Sequence, residues 1–139
     1  MRDKVFIDTN ILMYMQSGMN MEKTKISRRL FEKLSSDHLI VLSTQVLEEF
    51  YVALTRKLKH DPITIKNLLL LFDDFEIVTI NSLIIFDAID LSVTHQLSFW
   101  DSLIICSALS SQCKVIYSED LNHGQLIRGV EIINPFKQI

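Results

Sequence analysis

The sequence predicts an α/β fold in which a mostly parallel central sheet is covered by helices on both faces, in a doubly wound arrangement. Three features carry that expectation. The strand-like runs are short and continuously apolar, as in Val5-Phe6-Ile7, Leu39-Ile40-Val41-Leu42 and Val115-Ile116-Tyr117. Strands without alternation of apolar and polar residues are buried on both faces, which is the condition of a parallel sheet. Between successive runs lie segments with helical spacing of apolar residues, and strands that alternate with helices build layered α/β architectures.

Taken in order, Lys4 to Ile7 reads as a strand, and Asp8-Thr9-Asn10 supplies capping residues before the apolar stretch Ile11 to Met15. Lys23 to Leu34 places Ile26, Leu30, Phe31 and Leu34 on one helical face, and Leu39 to Leu42 is a second strand. Ser43 and Thr44 cap a helix that runs through Leu58, and Pro62 suits the first turn of the next one, which carries Ile65, Leu68, Leu69 and Phe72. A third strand is expected over Glu76 to Ile80. Asn81 caps a long helix ending near Gln96, and Ser98 caps another, Phe99 to Ser110, apolar nearly all round and therefore expected to be buried. Val115 to Tyr117 and Val130 to Ile133 complete the strands.

A length of 139 residues, 48% of them hydrophobic, suits one domain over residues 1–139 with a substantial core. Three Gly and two Pro, scattered along the chain, leave no stretch with the composition of a linker. The first residues pass from charge into a short strand without reaching the apolar length of a secretion signal, and no run is long enough to cross a membrane. The expectation is a cytoplasmic protein with no membrane association. Cys106 and Cys113 lack neighbours at metal-ligand spacing and are read as buried thiols. A net charge of -3 argues against gripping nucleic acid by charge alone. The basic groups Lys23, Lys25, Arg28, Arg29, Lys33 and Arg56, Lys57, Lys59 are read as solvated helix faces.

In an open parallel sheet, ligands bind in the crevice at the carboxyl ends of the strands. Acidic residues gather at those positions: Asp8 after the first strand, Glu48 and Glu49 in the helix after the second, Glu119 and Asp120 after the fourth. Asp101, in the first turn of the apolar helix, starts from the same edge. Singly, each has a structural account. Asp8 can cap a helix, Asp101 fits a capping box with Ser98, Asp120 suits a turn, and Glu48 and Glu49 can be solvated. Jointly, the two aspartates in a half-buried crevice would raise each other's pKa, and a divalent cation would relieve the repulsion. Carboxylate and water oxygens are hard ligands that suit Mg²⁺ or Mn²⁺ better than zinc.

Five segments in order resemble the PIN-domain ribonuclease family, in particular the VapC-type toxins of type II toxin–antitoxin systems. They are Phe6 to Asn10, Ser43 to Tyr51, Leu97 to Ile104, Ser118 to Gly124 and Ile133 to Phe136. The resemblance spans essentially the whole chain and implies a PIN-like three-layer α/β/α fold with a mostly parallel sheet. It also implies that Asp8, Glu49, Asp101 and Asp120 bind Mg²⁺ (or Mn²⁺) and cleave RNA. On the helical wheel Glu48 and Glu49 flank the apolar face symmetrically, so only the resemblance selects Glu49. Thr9, Asn10 and Ser118 become groups that orient those carboxylates or bound water, although capping accounts for Thr9 and Asn10 equally well. A cognate antitoxin protein and a homodimer are further implications, with Met13, Met15, Met19 and Met21 as an adaptable docking surface, although ordinary core filling is the favoured account of Met13 and Met15.

Hydrolysis by cation-held water needs no 2′-hydroxyl, so 5′-phosphate and 3′-hydroxyl products are expected. His123, beside Gly124 in a loop, is read as a turn or RNA-contacting residue rather than a general base, and Trp100 as core packing with base stacking as the alternative. Transfer through an aspartyl phosphate fits poorly, because Asn10, Asn81 and Asn134 stand where such enzymes need acidic or basic groups. A catalytically silent PIN scaffold that binds protein or RNA is the remaining rival, and the complete acid set counts against it.

Overall fold

A computed structural model describes residues 2–137. Its strands are β1 (Lys4–Ile7), β2 (Leu39–Ser43), β3 (Glu76–Val78), β4 (Val115–Tyr117), β5 (Leu126–Ile127) and β6 (Val130–Ile133). Its α-helices are α1 (Thr9–Ser17), α2 (Met21–Asp37), α3 (Thr44–Val52), α4 (Pro62–Leu70), α5 (Ser82–His95) and α6 (Phe99–Ser110). The strands form one sheet in the order β3-β2-β1-β4-β6-β5, parallel throughout except for the β5–β6 pair.

The chain steps from β1 outward to β2 and β3, then crosses back over β1 to β4. Crossovers between parallel strands are right-handed, so reversing the direction of travel moves the connecting helices to the other face of the sheet. The packing follows: α1 contacts α2 and α3, and α3 contacts α4, whereas α5 and α6 pack against each other. The result is a three-layer α/β/α fold. Its middle is dry, with Phe6, Ile7, Val41, Leu42 and Ile116 fully buried, and α6 is buried continuously from Ser102 to Ala108. Both cysteines are free and buried, and burial pushes each thiol up to about 12. No helix among the described residues is long and apolar enough to cross a membrane.

The helix starts are fixed by side-chain caps. Ser43, Asn81 and Ser98 each accept a hydrogen bond from the N–H three residues on, at Val46, Ile84 and Asp101. Such caps satisfy amides that the first turn leaves orphaned. In α3 and α6 they pin the first turn at the carboxyl edge of the sheet, where the acids of these helices must stand.

Three elements differ from the sequence reading. β3 stops at Val78, opposite Ser43, because β2 ends there and turns into α3. Ile80, expected within the strand, instead donates its N–H to the Thr44 hydroxyl. The helix expected to run from Ser43 through Leu58 is α-helical only to Val52 and continues as a π-helical turn over Ala53–Lys57. β5 was not anticipated. It pairs with β6 through Arg128 and Gly129, both at positive φ (49° and 90°), as a two-residue hairpin turn of opposite hand requires.

Phe50 of α3 tests the helical layer, because its ring is fully buried and meets Phe72 edge-on with centroids 5.8 Å apart. Phe50→Ala is expected to lower unfolding stability by about 3–5 kcal/mol in urea titrations. A loss under about 1 kcal/mol would contradict this packing.

Candidate active site

β1 and β4 are adjacent and parallel, and their register pairs Ile7 with Tyr117. One step further, Asp8 and Ser118 face each other. The pairing continues there, since the Asp8 N–H donates to the Tyr117 carbonyl at 2.9 Å. The Asp8 carboxylate is 6% exposed and both its oxygens are engaged. Oδ1 accepts from the Thr9 N–H at 2.7 Å, capping α1, and Oδ2 accepts from the Ser118 hydroxyl at 2.7 Å. The Ser118 oxygen in turn accepts from the N–H groups of Asp120 (3.2 Å) and Leu121 (3.4 Å). A hydroxyl has one proton to give, and with two amides donating to its oxygen that proton goes to Asp8.

The remaining acids are held from the same hub. The Thr9 hydroxyl donates to Glu49 Oε1 at 2.8 Å, linking α1 to α3. The Asn10 amide donates to Asp120 Oδ2 at 3.0 Å while its Oδ1 accepts the Glu119 N–H at 3.3 Å, so one side chain clamps the loop after β4. Asp101 lies in the first turn of α6, its N–H bonded to the capping Ser98 hydroxyl. Asp8, Glu49, Asp101 and Asp120, from four separate segments, line one cavity of about 460 Å³.

Burial above all raises the Asp8 pKa to about 6; the hydrogen bonds from Ser118 and Thr9 oppose this, and the charges of Glu49 and Asp120 add to it. Asp101 is raised too, by burial first, against the Ser98 hydroxyl and with a contribution from the Asp120 charge. The carboxylates thus sense one another. Among the described residues, Lys57, exposed and carried by the π-helical turn, is the one cation lining the cavity, and no imidazole lines it. Among the described residues no three acidic, histidine or cysteine side chains stand close enough to chelate a single ion. An all-oxygen set that offers one or two carboxylates at a time fits a hard cation that keeps much of its water, as Mg²⁺ does.

Glu119 and Asp120, equivalent by spacing, are separated by the fold. Glu119 accepts from the Tyr14 hydroxyl at 2.6 Å and pairs with Lys23, which also lies 5.0 Å over the Tyr14 ring, so it points away from the cavity. Glu48 lines the cavity beside Glu49, but only Glu49 is tied to Thr9. Trp100 corrects the core-packing reading: it is 62% exposed in the first turn of α6, with the Phe99 ring edge-on against its indole. His123 lies outside the cavity, where its Nδ1 accepts the Asn134 N–H at 2.9 Å. Sequence reasoning assigned Lys57 to a solvated face and passed over Gln45. Both line the cavity, and Gln45, a polar residue in the first turn after β2, was legible by its position.

The family model described as PIN domain matches residues 5–127. No curated protein matches the sequence. Among solved structures, VapC20 from Mycobacterium tuberculosis, a sarcin-ricin loop cleaving toxin, is similar at TM-score 0.68 and 17% identity, covering 84% of this chain and 89% of its own. A toxin–antitoxin complex from Klebsiella pneumoniae gives TM-score 0.72 and 19% identity over 94% of this chain and 97% of the other. VapBC2 from Rickettsia felis, bound to a DNA fragment from its promoter, gives 0.67 and 16% over 93% and 96%. At such identities the likeness establishes the fold.

The raised Asp8 pKa sets a pH dependence with a definite sign. A folded-state value of about 6, against 3.8 for an ordinary aspartate, means that the folded protein binds a proton first as pH falls. Asp8 therefore contributes stability that grows from pH 7 to pH 4, by about 2 kcal/mol, and is lost again as pH rises through 6. Asp8→Asn, which keeps a good cap, is expected to be at least as stable as wild type at pH 7 in EDTA and to lack that increment. The wild-type-minus-variant difference, read from urea midpoints at both pH values, removes the titrations common to the two proteins and leaves that of Asp8 together with its coupling to Glu49 and Asp120. Parallel pH profiles would contradict the buried-carboxylate account.

Proposed function

The chain belongs to the PIN-domain family, and on that footing we propose that it is a divalent-cation-dependent endoribonuclease, the toxin component of a cytoplasmic toxin–antitoxin pair, built as one domain over residues 1–139. The observation that carries this reading is the convergence of Asp8, Glu49, Asp101 and Asp120 on one cavity at the carboxyl edge of the sheet. Asp8 and Asp101 would hold the cation, and Glu49 and Asp120 would complete the site or order the attacking water. Mg²⁺ or Mn²⁺, when bound, supplies positive charge to the phosphoryl oxygens and lowers the pKa of water.

The protein's own groups do the positioning. Ser118 and Thr9 fix Asp8, Thr9 also fixes Glu49, and Asn10 fixes Asp120, so three uncharged side chains orient three of the acids. Lys57 stands at the cavity wall as a contact for a phosphate. Among the described residues the lining holds carboxylates and no imidazole, and water is the nucleophile this reading requires.

Two solved structures of this fold are toxin–antitoxin assemblies, which supports a protein partner for this chain, and a methionine-rich surface would suit one. Met19 and Met21 are exposed, Met13 and Met15 half-buried, and a cleft of about 330 Å³ lined by Met13, Tyr14, Met19 and Leu58 shares Asn10, Met13 and Lys57 with the acid cavity. An antitoxin seated there would reach the acids. A homodimer belongs to the same proposal. Leu83, Phe86 and Val93, exposed at helical spacing on α5, offer it an apolar face, and light scattering would detect it.

Purified protein is expected to cut single-stranded RNA with Mg²⁺ or Mn²⁺ but not in EDTA, leaving 5′-phosphate and 3′-hydroxyl ends. Asp8→Asn and Asp101→Asn should each lower kcat/KM by roughly 10²-fold or more. Mg²⁺ at about a hundred times its Kd should add about 2.7 kcal/mol to wild-type stability, and far less to Asp8→Asn. Products with 2′,3′-cyclic phosphate ends, or undiminished cleavage by both variants, would overturn the reading.

A further inference from the structure

A second cavity, of about 550 Å³, opens beside the acid cavity. Gln45, Glu48, Glu49 and Trp100 line both, so the two share a wall. Apart from the Thr44 hydroxyl, the rest of the second cavity is apolar, formed by Ile80, Ile85, Phe99 and Leu103. Among the described residues no cation lines it, and two carboxylates stand at its edge, which disfavours a phosphate. What suits it is a neutral flat group with apolar faces and donors on its rim.

Gln45 supplies the specific contact. Its side chain is 6% exposed, and its Nε2 donates to the Trp100 carbonyl at 3.2 Å. A carbonyl can only accept, so this bond fixes the amide and leaves Oε1 as an acceptor. That oxygen is buried and has no partner. A buried acceptor without a donor is costly, and a ligand that brings a donor recovers the cost. The exposed Trp100 indole, propped edge-on by Phe99 with centroids 5.2 Å apart, stands at the mouth as a platform for stacking.

We propose that this cavity takes one unpaired nucleobase of the RNA strand whose phosphate lies at the acids, and that Gln45 Oε1 accepts from the exocyclic amino group of that base. The inference rests on the ribonuclease reading above. Gln45, Glu48 and Glu49 bring acceptor oxygens to the lining, and Thr44 adds a hydroxyl whose oxygen already accepts the Ile80 N–H, so acceptors outnumber donors and bases that carry amino donors are favoured. Uracil, whose single edge donor is flanked by two carbonyls, is disfavoured.

Trp100 is the only tryptophan in the chain, so all indole emission comes from the wall that this cavity shares with the acid cavity. Full-length protein is titrated in EDTA with adenosine, cytidine, uridine and purine riboside, which is adenosine without its amino group. These probes carry no phosphate and need no cation. Adenosine and cytidine are expected to quench Trp100 with affinity about tenfold above uridine and purine riboside, and Gln45→Met should bring that ratio close to one. The purine riboside comparison needs no variant, so it decides even if Gln45→Met fails to fold. Equal quenching by adenosine and purine riboside, or a preference that survives Gln45→Met, overturns the proposal. No response to any nucleoside also overturns it and leaves the cavity to a side chain of a protein partner. Cleavage of RNA, assayed separately with Mg²⁺, keeps the two readings apart. A chain that cuts RNA but fails the titration loses the base cavity alone. One that passes the titration yet cuts no RNA loses the ribonuclease reading, and with it the link between this cavity and the acids.

Discussion

The Asp8 carboxylate is buried at the point where two neighbouring parallel strands end, and the Ser118 hydroxyl is what makes that burial tolerable. Asp8 leaves the end of β1 and Ser118 the end of β4, so their contact is a continuation of sheet register rather than a chance meeting of loops. Because the Ser118 oxygen also receives two amides of the following loop, the same hydroxyl shapes the turn that carries Asp120. Truncating either partner to alanine would leave a buried polar group unpaired at the centre of the site.

From this hub the acids are distributed by short uncharged side chains. Thr9 and Asn10 occupy the first turn of α1, and each reaches to a different element: Thr9 to Glu49 on α3, Asn10 to the loop after β4. Capping and site construction are not competing accounts here. Asp8 caps α1 with one oxygen and enters the cavity network with the other. The neighbouring Glu119 is drawn off by Tyr14 and Lys23, which lowers the negative charge the cavity must carry and braces the loop from outside.

The crevice divides into two chemistries across a common wall. On one side acceptor oxygens converge with a single lysine, a place suited to a cation and a phosphodiester; on the other, apolar side chains surround one unpartnered carbonyl. Gln45 belongs to both because α3 begins at the sheet edge, where its first turn meets that of α6. The two helices approach from opposite faces of the sheet, and the crevice between their ends follows from the reversal of strand order at β1 and β4.

The strand and helix order, the parallel sheet, the buried α6 and the carboxyl-edge position of the acids were legible in the sequence, because apolar continuity, periodicity and caps are local signals. Ser43, Asn81 and Ser98 start helices where their residue types predicted. What could not be read locally was decided by side-chain direction and by neighbours distant in sequence. Glu48 and Glu49 are equivalent on the helical wheel, and only Thr9, forty residues away, distinguishes them. Asp120 enters the cavity and Glu119 leaves it because Asn10 and Lys23 pull them apart. Trp100 has the composition of a core residue, but its indole lies on the exposed side of the first turn of α6. Lys57 sits in a basic run that reads as a solvated face, and the π-helical turn after α3 brings it to the acids. Local chemistry determined which residues could form the site; the packing of two helical layers on one sheet decided which of them meet, because those contacts join segments whose separation along the chain carries no information about their separation in space.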